Sequence, residues 1–180
     1  MKKLSATPGH FLAVLEEALE NIREARSFQD ERSFQGALLQ ELARRLERGV
    51  LPDDPIIEEE YQKRIRSHGL RIRPDIIVHV PFDRGLAETR DQGNFTAIEL
   101  KRRATIKTAK KAFANLALMK KALKYPLTIF INVDSEQTHS GLCPKSIVGQ
   151  TVCFAVLLKD ARPVVRTEKG GPAVRKDGKQ

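Results

Sequence analysis

Two carboxylates and a lysine stand at the ends of, or inside, the most hydrophobic strand-like segments of the chain. Asp75 opens the run DIIVHV, and Glu99 and Lys101 lie two residues apart in FTAIELK. Alternate residues of a strand point to the same face, so Glu99 and Lys101 share a face. The turn-rich loop between the two segments predicts a hairpin, which would let Asp75 reach the same side.

This arrangement predicts one of two kinds of site. Two carboxylates that meet at a sheet edge repel each other unless a positive charge lies between them. Mg2+ or Mn2+ would fit there as a hard cation on oxygen ligands, and Lys101 could orient or help deprotonate a water that attacks a phosphodiester. The alternative is a salt bridge of Asp75 or Glu99 with Lys101 on a solvated face, and residue chemistry alone favours neither.

Hydrophobic periodicity predicts the elements that position these residues, in the order helix, helix, strands, helix, strand, strand. The predicted helices are 8–25, 30–49 and 105–125, and Asp30 or Ser27 can cap the second. The predicted strands are 75–80, 95–100, 126–133 and 150–159, with 163–166 as a short addition, while 56–65 fits a strand or a helix. A helix between 95–100 and 126–133 can cross over and make those strands parallel. The pattern therefore predicts an α/β domain with a central mixed sheet and helices on both faces.

A family resemblance rests on two short motifs in these segments. RPD at Arg73–Asp75, followed by IELK at Ile98–Lys101, resembles the PD-(D/E)xK nuclease superfamily, over roughly Asp30 to Val133. The resemblance implies a restriction-endonuclease-like fold and metal-dependent cleavage of DNA in repair, mobile-element processing or defence. It divides the chain into an N-terminal helix (1–27), a nuclease-like core (28–166) and a flexible basic tail (167–180).

The resemblance also implies roles for individual residues. Asp75 and Glu99 would ligate Mg2+ or Mn2+, the backbone carbonyl of Leu100 would be a further ligand, and Lys101 would act on the attacking water.

The superfamily often adds a carboxylate from the first core helix, and the helical wheel helps to choose it. Glu31 falls near the middle of the apolar stripe, where a glutamate needs a partner such as Lys101 or a metal. Glu41 lies at the edge of that stripe and remains the alternative. A simpler account is that Glu31 only serves the helix dipole.

Charge points to a polyanionic partner. The net charge is +9, yet residues 1–60 carry 8 basic and 13 acidic side chains, whereas residues 61–180 carry 24 and 10. Nucleic acid, and DNA in particular, is the leading candidate. Nine basic residues and no acidic one lie between positions 101 and 133. The residues predicted to contact DNA are Arg71, Arg73, Arg102, Arg103, Lys107, Lys110, Lys111 and Lys121.

Other classes of protein find little support. No apolar run approaches a membrane span, and the only two cysteines, Cys143 and Cys153, suggest reduced thiols in a cytoplasmic protein. Phosphate-loop, HExxH and GxSxG motifs are absent from the sequence. Two functions remain: a nuclease, which as a homodimer would cut both strands, or a catalytically weak nucleic-acid-binding module of the same fold.

The basic helix yields a first prediction. Changing Lys107, Lys110 and Lys111 together to glutamine should lower the slope of log affinity for DNA against log salt by about two to three units, since each phosphate contact contributes ~0.9. Titration of a labelled duplex at several salt concentrations measures this slope. An unchanged slope would place the DNA elsewhere on the molecule.

Overall fold

A computed structural model describes residues 7–46, 56–59, 74–79 and 93–171 of the chain. They form an α/β structure with one mixed six-stranded sheet flanked by helices. The strands are β1 (Ile56–Glu59), β2 (Ile76–His79), β3 (Asn94–Arg102), β4 (Leu127–Val133), β5 (Thr151–Lys159) and β6 (Arg162–Lys169). The helices are α1 (Pro8–Glu20), α2 (Glu31–Leu46) and α3 (Ile106–Leu123), with 3-10 turns at Ala25–Phe28 and Ser140–Leu142. No helix within these ranges is long and apolar enough to cross a membrane.

The order of strands in the sheet follows their order in the chain. β2 pairs antiparallel with both β1 and β3. β3, β4 and β5 are parallel to one another, and β6 pairs antiparallel with β5. Helix α3 provides the crossover between β3 and β4. The predicted hairpin pairing and the predicted parallel pair are confirmed, and the segment that fitted either a strand or a helix contains β1.

The two faces of the sheet have separate cores. Ile98 and Leu100 face α1 and α2, whereas Ala97 faces α3. Because side chains alternate along a strand, Glu99 falls on the α3 face. The prediction of helices on both faces is therefore confirmed, and the alternation of β3 decides which helix lies over the carboxylate.

Short-range hydrogen bonds decide where the first two helices begin and end. α1 ends at Glu20, short of the predicted residue 25, because the side-chain amide of Asn21 donates to the carbonyl of Glu17 (2.7 Å) and closes the last turn. Asp30, rather than Ser27, caps α2, since its carboxylate accepts from the backbone N–H of Ser33 at 2.8 Å.

Two of the predicted boundaries differ from the packing. Phe11 and Leu15 of α1 lie in the same buried cluster as Phe34 and Leu38 of α2, so residues 7–27 share the core of the predicted nuclease-like unit. Strand β6 is longer than the predicted segment 163–166. It runs to Lys169, so the boundary predicted at residue 167 passes through a paired strand. Of the predicted tail, residues 172–180 lie outside the described residues.

The end of β6 generates a second prediction. The side chain of Glu168 accepts hydrogen bonds from the hydroxyls of Thr138 and Ser140, and so ties β6 to the loop before β5. A chain ending at Thr167 should therefore be less stable than a chain ending at Gly171 by about 3 kcal/mol, from two bonds to a carboxylate and the last rungs of the β5–β6 ladder. Thermal unfolding should show a midpoint lower by about 10 °C. Equal midpoints would mean that these contacts contribute nothing to stability.

Candidate active site

The pairing of β2 with β3 brings the two central carboxylates together. Ile76 pairs with Ile98, so extending this antiparallel register by one residue places Asp75 opposite Glu99 on the α3 face. A carboxylate oxygen of Asp75 also accepts a hydrogen bond from the backbone N–H of Leu100 at 2.6 Å. The strand pairing therefore holds both carboxylates next to each other near the C-terminal end of β3.

A buried amide holds Asp75 from the other side of the sheet. The side chain of Gln35, on α2, is buried and donates to the backbone carbonyl of Asp75 at 2.6 Å. Gln35 lies one turn after Glu31, on the face of α2 that the sequence pattern turns toward the core. The backbone that enters β2 is thus anchored to α2, and Asp75 has little freedom to move away from Glu99.

Glu99 is the one acidic or basic side chain that is buried among the described residues. Glu99 is only 3% exposed, and its side chain accepts a single hydrogen bond within the described part of the chain, a long one of 3.4 Å from the amide of Asn115 on α3. Burial, and then the neighbouring Asp75 carboxylate, raise the pKa of Glu99 to about 8, against the smaller opposing effect of Lys101. At neutral pH, without a cation, this carboxyl largely keeps its proton.

The ammonium of Lys101 lies among several acceptors. Its Nζ is 3.2 Å from Glu31 and 3.8 Å from Asp75, and it also donates to the carbonyl of Leu100. Burial lowers the pKa of Lys101, but the carboxylates of Asp75, Glu31 and Glu99 together outweigh it, so the pKa lies above its ordinary value. Lys101 is therefore protonated and positively charged at neutral pH.

Glu31 joins the cluster from the first turn of α2. One of its carboxylate oxygens contacts Lys101 and the other accepts from the backbone N–H of Arg102 at 3.1 Å. The alternative, Glu41, instead pairs with Arg44 and Arg45 at 2.9 and 2.6 Å. Of the two glutamates weighed from the sequence, the structure brings Glu31 to the cluster.

Two predicted phosphate-binding arginines have contacts of another kind. The guanidinium of Arg102 donates to the carbonyl of Phe28 at 2.8 Å and to Asp134 at 2.7 Å, and Arg103 also pairs with Asp134 at 2.8 Å. Arg102 thereby fastens the 3-10 turn before α2 to the end of β4. Arg102 therefore has a structural role, with a side chain that is 30% exposed, whereas the side chain of Arg103 is 66% exposed.

The turn after β3 sets the position and direction in which α3 begins. Arg103 adopts a left-handed backbone conformation, with a φ of 47°, and the buried side chain of Asn132 accepts from the backbone N–H of Ala104 at 2.8 Å. Thr105 and Thr108 then form a capping box at the start of the helix. The basic helix consequently begins within a few residues of Lys101.

The lysines predicted to bind DNA are exposed along α3: Lys107, Lys110, Lys111 and Lys121. Ile106 is 60% exposed, because it stands in the first turn, ahead of the part of α3 that packs on the sheet. Arg71 and Arg73 lie outside the described residues.

Sequence reasoning missed Asn115 and Asp134. Asn115 carries a weak signal, since it is an isolated polar residue beside the buried stripe of α3 and cannot be assigned a partner before the strand below it is known. Asp134 follows β4 in a loop, where an aspartate is ordinary.

The cluster fits a hard cation in chemistry but has few ligands. Asp75, Glu99 and the Leu100 carbonyl are oxygen donors of the kind that Mg2+ and Mn2+ prefer, and a cation would compensate the buried Glu99 charge. Within the described ranges, however, no group of three or more His, Cys, Asp or Glu side chains is arranged to hold a metal ion. Two carboxylates and a carbonyl would leave the remaining positions to water or phosphate.

Comparisons of this chain with protein-family models, with curated proteins and with solved structures find no match.

The raised pKa of Glu99 predicts how stability depends on pH without metal. Between pH 4.5, its ordinary pKa, and about 8, the folded chain keeps a proton that the unfolded chain has lost. The free energy of unfolding should therefore fall as pH rises through this window, by up to ~1.4 kcal/mol per unit, and the contribution should level off above it.

Chemical denaturation in EDTA across this window measures the effect. Glu99→Gln, which cannot ionise, should flatten the profile, whereas Glu17→Gln, at a carboxylate with a 70% exposed side chain, should leave it as in the wild type. Parallel profiles for the wild type and Glu99→Gln would show that Glu99 ionises normally in the fold.

Proposed function

We propose that this chain is a divalent-metal-dependent nuclease that hydrolyses phosphodiester bonds in DNA, with the restriction-endonuclease-like fold of the PD-(D/E)xK superfamily. The observation that carries the proposal is the buried carboxyl of Glu99 beside Asp75. The salt-bridge alternative accounts for Asp75, whose carboxylate lies 3.8 Å from the Lys101 ammonium, but not for Glu99, because that ammonium contacts Glu31 and Asp75. Among the described residues, no basic side chain lies within ion-pair distance of Glu99, so a bound cation explains its position better.

Asp75, Glu99 and the Leu100 carbonyl would hold the cation. A hard divalent ion there would neutralise charge that develops on the phosphate and make a nearby water more acidic. Occupancy requires Glu99 to release its proton, and Lys101 to release the Leu100 carbonyl. Cation binding should consequently strengthen as pH rises toward 8.

Lys101 acts in this proposal as a charged donor and not as a base. Its raised pKa leaves no lone pair to accept a proton at neutral pH. The ammonium can donate hydrogen bonds to the attacking water or to a phosphate oxygen, and Glu31 holds it in place from α2. Of the two roles suggested by sequence, orienting the water is favoured over deprotonating it.

The basic helix supports DNA as the substrate. Helix α3 starts directly after the turn that follows Lys101, and its exposed lysines are not interleaved with any acidic residue. Surface lysine faces that serve only solubility are usually mixed with glutamates. A phosphate backbone that lies along α3 would therefore pass beside the carboxylate cluster.

A second candidate is a nucleic-acid-binding module of the same fold without strong catalysis. The low number of metal-ligating side chains among the described residues favours it, as does the contact of Lys101 with the carbonyl that would be a ligand. The two candidates differ in whether metal ions change the DNA.

Two substitutions test the nuclease proposal. Glu99→Gln removes a ligand charge with almost no change of volume, so Mn2+ affinity and plasmid nicking should both fall by at least about 100-fold while the fold is retained. Lys101→Ala should keep Mn2+ binding and DNA binding and slow only hydrolysis, by about 100-fold, because a donor to the reacting groups is lost. Calorimetry with Mn2+, thermal unfolding and nicking with Mg2+, Mn2+ or EDTA separate these effects.

Glu20→Gln serves as the matched control, because Glu20 is an exposed carboxylate at the end of α1. It should nick at the wild-type rate. If Glu99→Gln nicks DNA as fast as the wild type, the nuclease proposal fails at this site. If the wild type binds DNA but never nicks it in either metal, the binding module is the better description.

A further inference from the structure

A groove lined by arginines runs along the outer side of α2. A cleft of about 710 Å3 lies between α2 and residues 21–29. Its charged lining consists of four arginines and two glutamates: Arg23, Arg26, Arg32, Arg44, Glu24 and Glu41. A second cleft of about 540 Å3 shares Arg23, Glu41 and Arg44 with the first and adds Arg45 and Glu17. The two clefts therefore form one elongated surface, called here the arginine groove, which suits a chain better than a single small ion.

Ion pairs account for only part of the positive charge in the arginine groove. Arg26 pairs with Glu24 at 2.5 Å, and Glu41 pairs with both Arg44 and Arg45. Arg23 and Arg32 are exposed, and neither lies within ion-pair distance of a carboxylate in the described part of the chain. The side chains of Arg23 and Arg32 thus remain available to an anionic ligand, although residues 1–60 carry more acidic than basic side chains overall.

Gly36 gives an independent indication that the arginine groove is kept open. It occupies the interior of α2, where glycine weakens a helix relative to alanine. A Cβ atom added there would meet nothing within 4 Å, so the packing of the fold does not require a glycine. Because Gly36 lines the cleft, a side chain at this position would project into the space that a ligand would fill.

The arginine groove adjoins the candidate active site. Arg32 and Ser33, which line it, directly follow Glu31, the residue that contacts Lys101. The basic helix α3 lies on the opposite face of the sheet. Cationic surfaces therefore flank the carboxylate cluster on both sides, as they would for a nucleic acid that crosses the end of β3.

We propose that the arginine groove binds the phosphodiester backbone of the nucleic acid substrate on the α2 side of the site, with Arg23 and Arg32 as phosphate contacts. The planar guanidinium presents paired donors that match two phosphate oxygens. This inference rests on the proposed function for the identity of the substrate, but it concerns binding and not hydrolysis. An acidic protein partner is the competing occupant.

DNA binding in EDTA tests the proposal without any metal chemistry. A labelled duplex is titrated at several salt concentrations against the wild type and the double variant Arg23→Gln/Arg32→Gln. The slope of log affinity against log salt should fall by about 1.8 for the two lost contacts. The charge-matched control Lys145→Gln/Lys169→Gln should keep the wild-type slope. Both lysines are exposed: Lys145 precedes β5, and Lys169 pairs with Val152 at the start of β5, at the opposite end of the strands from the site.

Substitutions at Gly36 separate filling the groove from damaging the helix. Gly36→Ala should raise the thermal midpoint and lower DNA affinity by less than about twofold, because a methyl group fills little of the cleft. Gly36→Glu should fold equally well yet lower the affinity at least about tenfold, because its carboxylate would repel phosphate.

The outcomes are distinct. A slope for Arg23→Gln/Arg32→Gln equal to that of the wild type overturns the inference and leaves the groove to an acidic protein, as does a wild type that binds no duplex. If the slope falls as expected but Glu99→Gln still nicks DNA, the groove assignment stands and the nuclease proposal fails.

Discussion

The rest of the site depends on the burial of a carboxyl group that cannot leave the sheet. Glu99 pairs through its backbone with Phe130 on β4, and the register of β2 places Asp75 opposite it on the other side. Because β3 is paired on both sides, a shift that exposed Glu99 to solvent would also turn its neighbours Ile98 and Leu100 away from the core. The carboxyl must either keep a proton or have a positive charge beside it, and each choice changes the charge of the whole cluster.

The two helix layers meet at this cluster. Asn115 reaches Glu99 from α3, while Gln35 holds the backbone of Asp75 from α2. Arg102 adds a third connection, from the turn before α2 to the end of β4. The carboxylates are therefore positioned by elements from both faces of the sheet, which is the kind of rigid support that a precise binding or catalytic geometry needs.

Sequence could predict the parts of this structure that local patterns determine. The period of two in FTAIELK places Glu99 and Lys101 together, and the helical stripe of α2 favours Glu31 while leaving Glu41 as an alternative. Asn115 could not be predicted, because its role depends on which strand lies beneath α3. The same limit applies to β1, which is a strand only because β2 pairs with it, and to β6, whose exposed, polar sequence becomes a strand through its pairing with β5.

Because the strands are ordered in the sheet as in the chain, the sheet can grow from one side during synthesis. When each of the described strands from β2 onward emerges from the ribosome, the preceding strand with which it pairs has already been synthesised. No described strand therefore has to insert between two strands that are already paired. Asp75, just before β2, and Glu99, on β3, precede β4 in the chain, as do the helices that hold them. The cluster can thus begin to assemble while the last third of the protein is still being translated.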